Sequence, residues 1–192
     1  MNERKVERGA IMHYKFPYQV KDDFIKDIIR IESSSFDPEV LCTLSGKRAR
    51  YNINQESLVL AYDNLKLVGY LEFFPITHKL AERIENEDKV FIDDNLPIMG
   101  ILPSCPNDSD FYMLLSSVAV LPEYRGRGIT KELVKKFYDF ISDKMRSGCL
   151  IKKYYAYAFT DHGIQFLDVM GLTEIKKIIL PETNSYIKLY SS

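Results

Sequence analysis

Apolar positions recur along the chain with two different periods, which predict strands and helices that alternate along the sequence. Short runs of alternating or continuous apolar residues predict strands over residues 11–18, 57–62, 65–74, 111–120, 150–159, 173–180 and 185–190. Apolar residues three or four positions apart predict a first helix with Phe24, Ile25, Ile28, Ile29 and Ile31, and a later one with Ile129, Leu133, Phe137, Phe140 and Ile141. Shorter helices are predicted near residues 39–44, 78–84 and 163–170, the last of them ending at Gly171.

The strands predicted at 57–62 and 65–74 read as a hairpin. They meet at Asp63-Asn64, a pair of residues typical of a compact turn between two strands. Gly69 lies inside the second strand, where a glycine indicates a bulge or the close approach of another backbone.

Residues 77–110 are the least regular part of the chain. Within residues 77–95, six acidic side chains stand against three basic ones, and several prolines follow. This composition favours a solvated surface insertion. The strand predicted after it, at 111–120, is almost wholly apolar, as expected of a central strand that is covered on both faces.

Composition narrows the class of protein. A chain of 192 residues with 46% hydrophobic and 28% charged residues is typical of a single globular domain. Its formal net charge of -1 and the lack of a wide basic run argue against nucleic-acid binding. No apolar run reaches the length of a membrane span, and the charged first residues do not resemble a leader. Three cysteines and three histidines are scattered, which predicts reduced thiols in a cytoplasmic protein and no metal site.

The most specific pattern lies in residues 116–130. An apolar run is followed by a proline, by the turn Arg125-Gly126-Arg127-Gly128, and then by an amphipathic helix. Two glycines let the backbone turn with its N–H groups exposed, and the positive end of the helix points at the same place. The pattern therefore predicts a polyphosphate site, the alternative being a plain connection without a ligand.

Spacing excludes two other kinds of phosphate loop. No string in the chain has the spacing of a P-loop, with its Gly-Lys-Ser/Thr ending. A dinucleotide fingerprint requires a third glycine where this sequence has Lys131.

The same segment resembles one protein family. Val118-Ala119-Val120, Pro122-Glu123-Tyr124 and the Arg-Gly-Arg-Gly turn are similar to the acetyl-CoA pyrophosphate signature of the GNAT acyltransferases. Its three defining places hold Arg125, Gly128 and Thr130, and Thr130 departs from the small final residue of the signature. The resemblance implies that acetyl-CoA, or another acyl-CoA, binds Val118, Val120, Arg125, Gly126, Arg127, Gly128, Ile129 and Thr130.

The hairpin and residues 160–172 also resemble this family, so that the match spans most of the chain. It implies one domain over residues 1–192 with an α/β fold of the layered α+β kind. The expected architecture is a mixed, mostly antiparallel, twisted sheet flanked by helices. The sheet is expected to be splayed between its fourth and fifth strands, here 111–120 and 150–159. In this setting the insertion at 77–110 has a second interpretation, a lid that attracts a cationic amine acceptor.

The resemblance also implies a chemistry. Backbone groups near Val118 and Val120 would polarise the thioester carbonyl, and the acceptor amine would attack it directly. Glu72 on the hairpin is the candidate base, although a solvent-facing strand carboxylate is the alternative. Thr160 or His162 could assist through water.

The acid that protonates the leaving thiolate is the point where this sequence departs from the family. Many members of the family use a tyrosine at the place that Leu167 occupies here. Tyr157, or Tyr155, is therefore the candidate acid, with packing in the sheet as the alternative for both.

These observations lead to one expected function and one alternative. The expected function is an N-acyltransferase that moves an acetyl group from acetyl-CoA to a primary amine in a ternary complex. The acceptor could be a small amine, an aminoglycoside-like compound or a protein amine. The alternative is a non-catalytic acyl-CoA-binding or regulatory module, which Leu167 favours. The closing strands are expected to be exposed, so a homodimer is one possible oligomeric state.

Overall fold

The computed structural model describes residues 12–20, 23–38, 41–106, 109–148, 150–179 and 186–192. Seven strands form one sheet in the order β1-β2-β3-β4-β5-β7-β6. The strands are β1 Met12–Lys15, β2 Leu58–Asp63, β3 Lys66–Ile76, β4 Asp110–Val120, β5 Leu150–Ala158, β6 Thr173–Ile179 and β7 Tyr186–Ser191. The helices are α1 Ile25–Ser33, α2 Leu44–Ile53, α3 His78–Asn86, α4 Ile129–Arg146 and α5 Asp161–Val169.

The strand pairing confirms the expected architecture. Every neighbouring pair is antiparallel except β4 and β5, which run parallel and are joined through α4. Strand β7 lies between β5 and β6, which leaves β6 at one edge of the sheet and β1 at the other. The sheet is therefore mixed and mostly antiparallel, with its parallel pair at the fourth and fifth strands.

Alternating side chains of β3 show which helices cover each face of the sheet. The Tyr70 hydroxyl donates to Glu32 of α1 at 2.6 Å, whereas the Phe73 ring packs on Phe137 of α4 with centroids 4.8 Å apart. Helix α1 and its neighbour α2 thus cover one face, and α4 covers the other. The buried side chains of α3 cluster with Phe74, on the same face as α1.

The glycine of the hairpin explains one irregularity. Strand β3 has an extra residue next to Gly69 in its pairing with β2. A Cβ added to Gly69 would lie 3.1 Å from both the carbonyl oxygen of Ala119 and Cγ2 of Val120. Both alternatives that the sequence left open, a bulge and a close backbone approach, are therefore present at this position.

Helix α2 begins where the sequence predicted a helix to end. Thr43 caps it, because its hydroxyl accepts a backbone N–H of the first turn at 3.1 Å. The buried side chains of α2 are Lys47 and Arg50, so its inward face is charged and apolar periodicity could not reveal it. The helix predicted near residues 39–44 is wrong, and residues 39–40 lie outside the described part of the chain.

Other boundaries differ by a few residues. Strand β1 ends at Lys15 instead of residue 18, because Pro17 starts a 3₁₀ turn. Helix α5 begins two residues earlier than predicted, since the Thr160 hydroxyl accepts the Gly163 N–H at 3.0 Å and caps it. The predicted strand ends at residues 11, 180 and 185 lie outside the described residues.

The insertion at 77–110 is part of the core and not merely a solvated loop. Its helix α3 has the predicted start and runs two residues beyond the predicted end. It and the following residues bury seven apolar side chains, those of Leu80, Ala81, Ile84, Phe91, Ile92, Leu96 and Ile101. These pack with Phe74, Ile76 and Leu114 of the sheet. The expectation of a solvated insertion is wrong, because its charged residues cover an apolar face that charge counting does not detect.

Candidate functional site

Strands β4 and β5 separate halfway along β4. Their parallel pairing runs from Asp110 opposite Leu150 to Leu115 opposite Ala156 and then stops, although β4 continues to Val120. Ser116 is an extra residue in the pairing of β4 with β3, directly where the two strands separate. The bulge bends β4 locally, and the expected splay is found between these strands.

The separation leaves backbone groups of β4 without a strand partner on the β5 side. The N–H of Leu121 donates to the Val68 carbonyl at 2.9 Å, on the β3 side. Because these groups alternate in direction along a strand, the N–H and C=O groups of Val118 and Val120 face the gap. Val118 and Val120, whose backbone groups the resemblance placed at the thioester, thus present to the gap a strand edge that β5 does not pair.

An open cavity of about 510 Å³ fills this gap. Residues 115–120 form one wall, and Tyr157, Phe159 and Phe166 contribute to the opposite wall. Helix α1 and the residues after it close a third side with Glu32 and Phe36. A mostly apolar cleft with a few polar groups is the usual form of a small-molecule site.

The glycine turn lies at one end of the cavity. Gly126 and Gly128 have φ angles of +75° and +77°, and an added Cβ at either would meet no atom within 4 Å. Gly128 is the N-cap of α4, whose first N–H groups have no acceptor within the helix. A second cavity of about 290 Å³ borders the turn. This combination fits a polyphosphate, as the sequence predicted.

The two arginines of the turn have different surroundings. Arg125 lines both cavities, and its Nε and Nη2 donate to the Val120 carbonyl at 3.1 Å and the Ser35 hydroxyl at 3.2 Å. The Arg127 guanidinium instead donates to the Glu123 carbonyl at 2.9 Å and lies over a tyrosine ring. Seven of the eight predicted cofactor residues line a cavity, and Arg127 is the exception.

A buried ionic cluster lies beneath the cavity. The Lys47 ammonium donates to Glu32 Oε1 at 2.6 Å and to Glu72 Oε2 at 3.0 Å, and both glutamates line the cavity. The Tyr70 hydroxyl donates to the same Oε1 at 2.6 Å. Glu72 is only 2% exposed, so the alternative of a solvent-facing carboxylate is wrong.

These charges shift one another's pKa. Burial by itself would raise the pKa of Glu72, but the charges of Lys47 and Arg50 outweigh it and hold this pKa below its ordinary value. Burial would lower the pKa of Lys47, whereas Glu72 and Glu32 raise it to about 12. Burial and the charge of Glu32 raise the pKa of Tyr70 well above its ordinary value. At neutral pH Glu72 is therefore a carboxylate, Lys47 an ammonium and Tyr70 a neutral phenol.

The two candidate tyrosines of β5, Tyr157 and Tyr155, have different surroundings. Tyr157 lines the cavity, and its hydroxyl donates to the Lys89 carbonyl at 3.4 Å. Burial raises the pKa of Tyr157 well above the ordinary value. The Tyr155 hydroxyl donates to Glu85 at 2.6 Å and lies outside the described cavity wall. Leu167, which holds the place of the family's usual tyrosine, is buried and lines the cavity.

Two residues that are central to the ionic cluster were missed by the sequence analysis, Glu32 and Lys47. Glu32 lies four residues after Ile28 and seven after Ile25, so helical spacing places it on the buried face of α1. That spacing is a signal that the sequence contains. Lys47 has no comparable signal, because the inward face of α2 carries charges.

The site and the fold together define a class, the acyltransferases built on a splayed α/β sheet. The model of the acetyltransferase (GNAT) family matches residues 25–162. The chain therefore belongs to this family, as the resemblance implied. A comparison with curated protein sequences gave no significant match.

Three solved structures illustrate the fold that this chain shares. The loading GNATL domain of CurA from Lyngbya majuscula has a TM-score of 0.68 at 15% identity, covering 94% of this chain and 96% of that one. Arabidopsis thaliana NAA60 in complex with acetyl-CoA has a TM-score of 0.64 at 13% identity, and the match covers 95% of this chain and 98% of that one. Arabidopsis thaliana Naa50 in complex with the bisubstrate analogue CoA-Ac-MVNAL has a TM-score of 0.59 at 18% identity, and the match covers 94% of this chain and 97% of that one. At these identities the likeness concerns the fold.

Among the described residues, the structure has neither a helix fit to cross a membrane nor a group of metal-binding side chains. None of their helices is both long and apolar enough to cross a membrane. No group of their His, Cys, Asp and Glu side chains is placed to hold a metal ion.

Proposed function

We propose that this protein transfers an acetyl group from acetyl-CoA to a primary amine in a ternary complex. The observation that carries the proposal is that the two cavities share part of their lining. Val120, Arg125, Gly126 and Thr130 line both of them, so one ligand can reach from the glycine turn into the gap between β4 and β5. Acetyl-CoA has its phosphates and its thioester at such opposite ends.

The chain has suitable groups for each part of this ligand. Backbone N–H groups of residues 126–130 and the guanidinium of Arg125 would bind the pyrophosphate. The strand edge at Val118 and Val120, which β5 does not pair, would bind the amide-bearing arm as an added strand would bind. An N–H at this edge would also stabilise the oxyanion that forms when the carbonyl is attacked.

Transfer requires one bond to form and one to break. The amine nitrogen attacks the carbonyl carbon, the C–S bond breaks, and the amine loses the proton that the thiolate finally gains. Glu72 is the proposed base, and its carboxylate is held in place by Lys47. Tyr157 is the proposed acid, since the raised pKa keeps its hydroxyl protonated at neutral pH.

Leu167 is the observation that favours the alternative, a non-catalytic acyl-CoA-binding module. Its side chain occupies the cavity wall without a proton to give. We favour catalysis, because two buried carboxylates border the same cavity. We further propose a cytoplasmic enzyme without metal, nucleic-acid or membrane partner. A homodimer through the closing strands stays a prediction, which the exposed Ile179 and Tyr186 support.

Release of free thiol from acetyl-CoA tests the proposal directly. The panel comprises small primary amines, an aminoglycoside and peptides with free N-termini, and acetyl-CoA binding is followed in parallel by thermal shift. We expect release that depends on one class of amine. Stabilisation by acetyl-CoA without release on any amine would favour the binding module, and the lack of both would contradict both functions.

A further inference from the structure

We propose that the site also binds linear acyl groups longer than acetyl, such as butyryl, in an apolar compartment beyond the thioester. The inference rests on the proposed function and names the class of acyl group that the cavity can take. We call this part of the cavity the acyl compartment, and its walls are Leu71, Leu115, Ala156 and Leu167. Leu167 is a cavity residue to which the proposed transfer gives no task.

The strands place the walls of the acyl compartment on one face of the sheet. Leu71 precedes Glu72 on β3 and therefore points away from this carboxylate, towards the side that α4 covers. Leu115 is paired with Phe73, which packs on α4, and Ala156 of β5 is paired with Leu115. Side chains of directly paired residues lie on the same face of a sheet. The acyl compartment is thus on the α4 face, whereas the carboxylate proposed as the base is on the α1 face.

The side chains that form the acyl compartment are all apolar. All four are buried and belong to one hydrophobic cluster. Leu167 reaches the compartment from α5, whereas the other three come from β3, β4 and β5. Such walls favour a hydrocarbon chain, because the chain leaves water when it binds. A polar group would lose its hydration there without gaining a hydrogen bond from these side chains.

The positions along β4 give the acyl compartment its length. A ligand that enters from the glycine turn passes Val120 first and would have its carbonyl at Val118. The cavity wall continues from there through Ser116 to Leu115, which is about 7–10 Å along a strand with a bulge. Leu115 and Ala156 are the last residues that β4 and β5 pair, so the paired backbone closes this end. An acetyl group ends one carbon after the carbonyl, which leaves space for further methylene groups.

Binding of CoA thioesters tests the inference without any transfer. Calorimetry compares CoA, acetyl-CoA and butyryl-CoA in the absence of an acceptor. Butyryl-CoA should bind roughly tenfold tighter than acetyl-CoA, because each of its two additional methylene groups strengthens binding about fourfold when it is buried. The two thioesters share the same CoA part, so the difference reports on the acyl compartment alone.

Two alanines of β5 provide a matched pair of variants. Ala156 and Ala158 are both buried and lie on the same face of the strand, but Ala156 lines the described cavity and Ala158 lies outside its wall. Ala156→Val fills part of the acyl compartment and should remove most of the preference for butyryl-CoA, with CoA affinity unchanged. Ala158→Val should keep the full preference. Leu167→Phe narrows the compartment from α5 and should act as Ala156→Val does, and thermal unfolding checks that each variant is folded.

The outcomes separate this inference from the proposed function. Equal affinity of the wild type for acetyl-CoA and butyryl-CoA would overturn the inference. So would a preference that survives in both Ala156→Val and Leu167→Phe, or one that is lost equally in Ala158→Val. Each of these results leaves CoA binding, and with it the proposed function, in place. A wild type that binds no CoA would overturn the proposed function together with the inference.

Discussion

Gly128 shows how a single residue joins backbone conformation to ligand binding. Its φ of +77° is in the left-handed region, and space is open where a side chain would begin. Gly171, at the end of α5, has a φ of +78° and the same open space but lies outside the described cavity walls. The pair separates the effect of backbone strain from the effect on the site.

Gly128→Asp should abolish CoA binding, because a side chain and a negative charge enter the phosphate region. Gly171→Asp should bind CoA as wild type does, while each variant loses about 1–2 kcal/mol of stability from its positive φ. Calorimetry on the folded variants measures the first effect and chemical denaturation the second. Unchanged CoA affinity in Gly128→Asp would refute the phosphate site.

Tyr157 carries the proposed proton donor, and Tyr155 offers a matched comparison two residues earlier on β5. Tyr157→Phe should lower turnover roughly 10²-fold or more, the lower range for general acid catalysis, with acetyl-CoA affinity unchanged. Tyr155→Phe should leave turnover intact, since the hydroxyl of Tyr155 binds Glu85 outside the described cavity wall. Steady-state kinetics and thermal shift check both. Equal rates in Tyr157→Phe and wild type would remove this residue from the mechanism.

At the scale of elements, β4 has two different neighbours. It pairs with β3 from Tyr112 to Val120 but with β5 only from Asp110 to Leu115. The remaining residues of β4 can therefore offer backbone groups to a ligand while β3 holds them in place. Helix α3 covers the face of the sheet beside this gap, where its buried side chains pack on β3 and β4.

Helix α3 should contribute to stability as a core element does. Ile84→Ala removes a fully buried side chain (0% exposed) and should cost about 2–5 kcal/mol of unfolding free energy. Met99→Ala, in the same insertion, removes a side chain that is 92% exposed and should cost less than about 0.5 kcal/mol. Urea denaturation compares them, and equal small losses would mean that the insertion does not stabilise the fold.

At the scale of the whole molecule, the ionic cluster couples four elements. Glu32 of α1 and Lys47 of α2 contact Tyr70 and Glu72 of β3. Ser117 of β4 joins the cluster through its hydrogen bond to Tyr70. Such a cluster makes stability depend on pH, because its charges exist in the folded state at pKa values that differ from those of the unfolded chain. The direction of the shift sets the sign of the effect.

Stability should fall on the acid side. The pKa of Glu72 lies below its ordinary value of 4.5 in the folded protein. Its contribution is therefore complete above pH 4.5 and is lost as the pH falls through the folded pKa. Glu72→Gln should make this decrease shallower. Urea denaturation at a series of pH values below 5 measures the two slopes, and identical slopes would contradict the assignment.

The sequence predicted most elements and the glycine turn, but only part of the site. Apolar periodicity found α1, α4 and every strand, whereas α2 was misplaced because its buried side chains are Lys47 and Arg50. The turn at 125–128 was recognisable because its chemistry is contained in consecutive residues. Arg127 is predicted to bind the phosphates, and its guanidinium here contacts the Glu123 carbonyl and the Tyr124 ring.

The sequence by itself determined the order of the elements, the family and the left-handed turn before α4. These depend on neighbours along the chain, where periodicity and glycine conformations act. Only the tertiary structure decided that β4 and β5 separate at Ser116 and that Glu32, Lys47 and Glu72 meet beneath the gap. Their chemistry depends on burial and on charges brought together from separate elements, and no local pattern of residues specifies either.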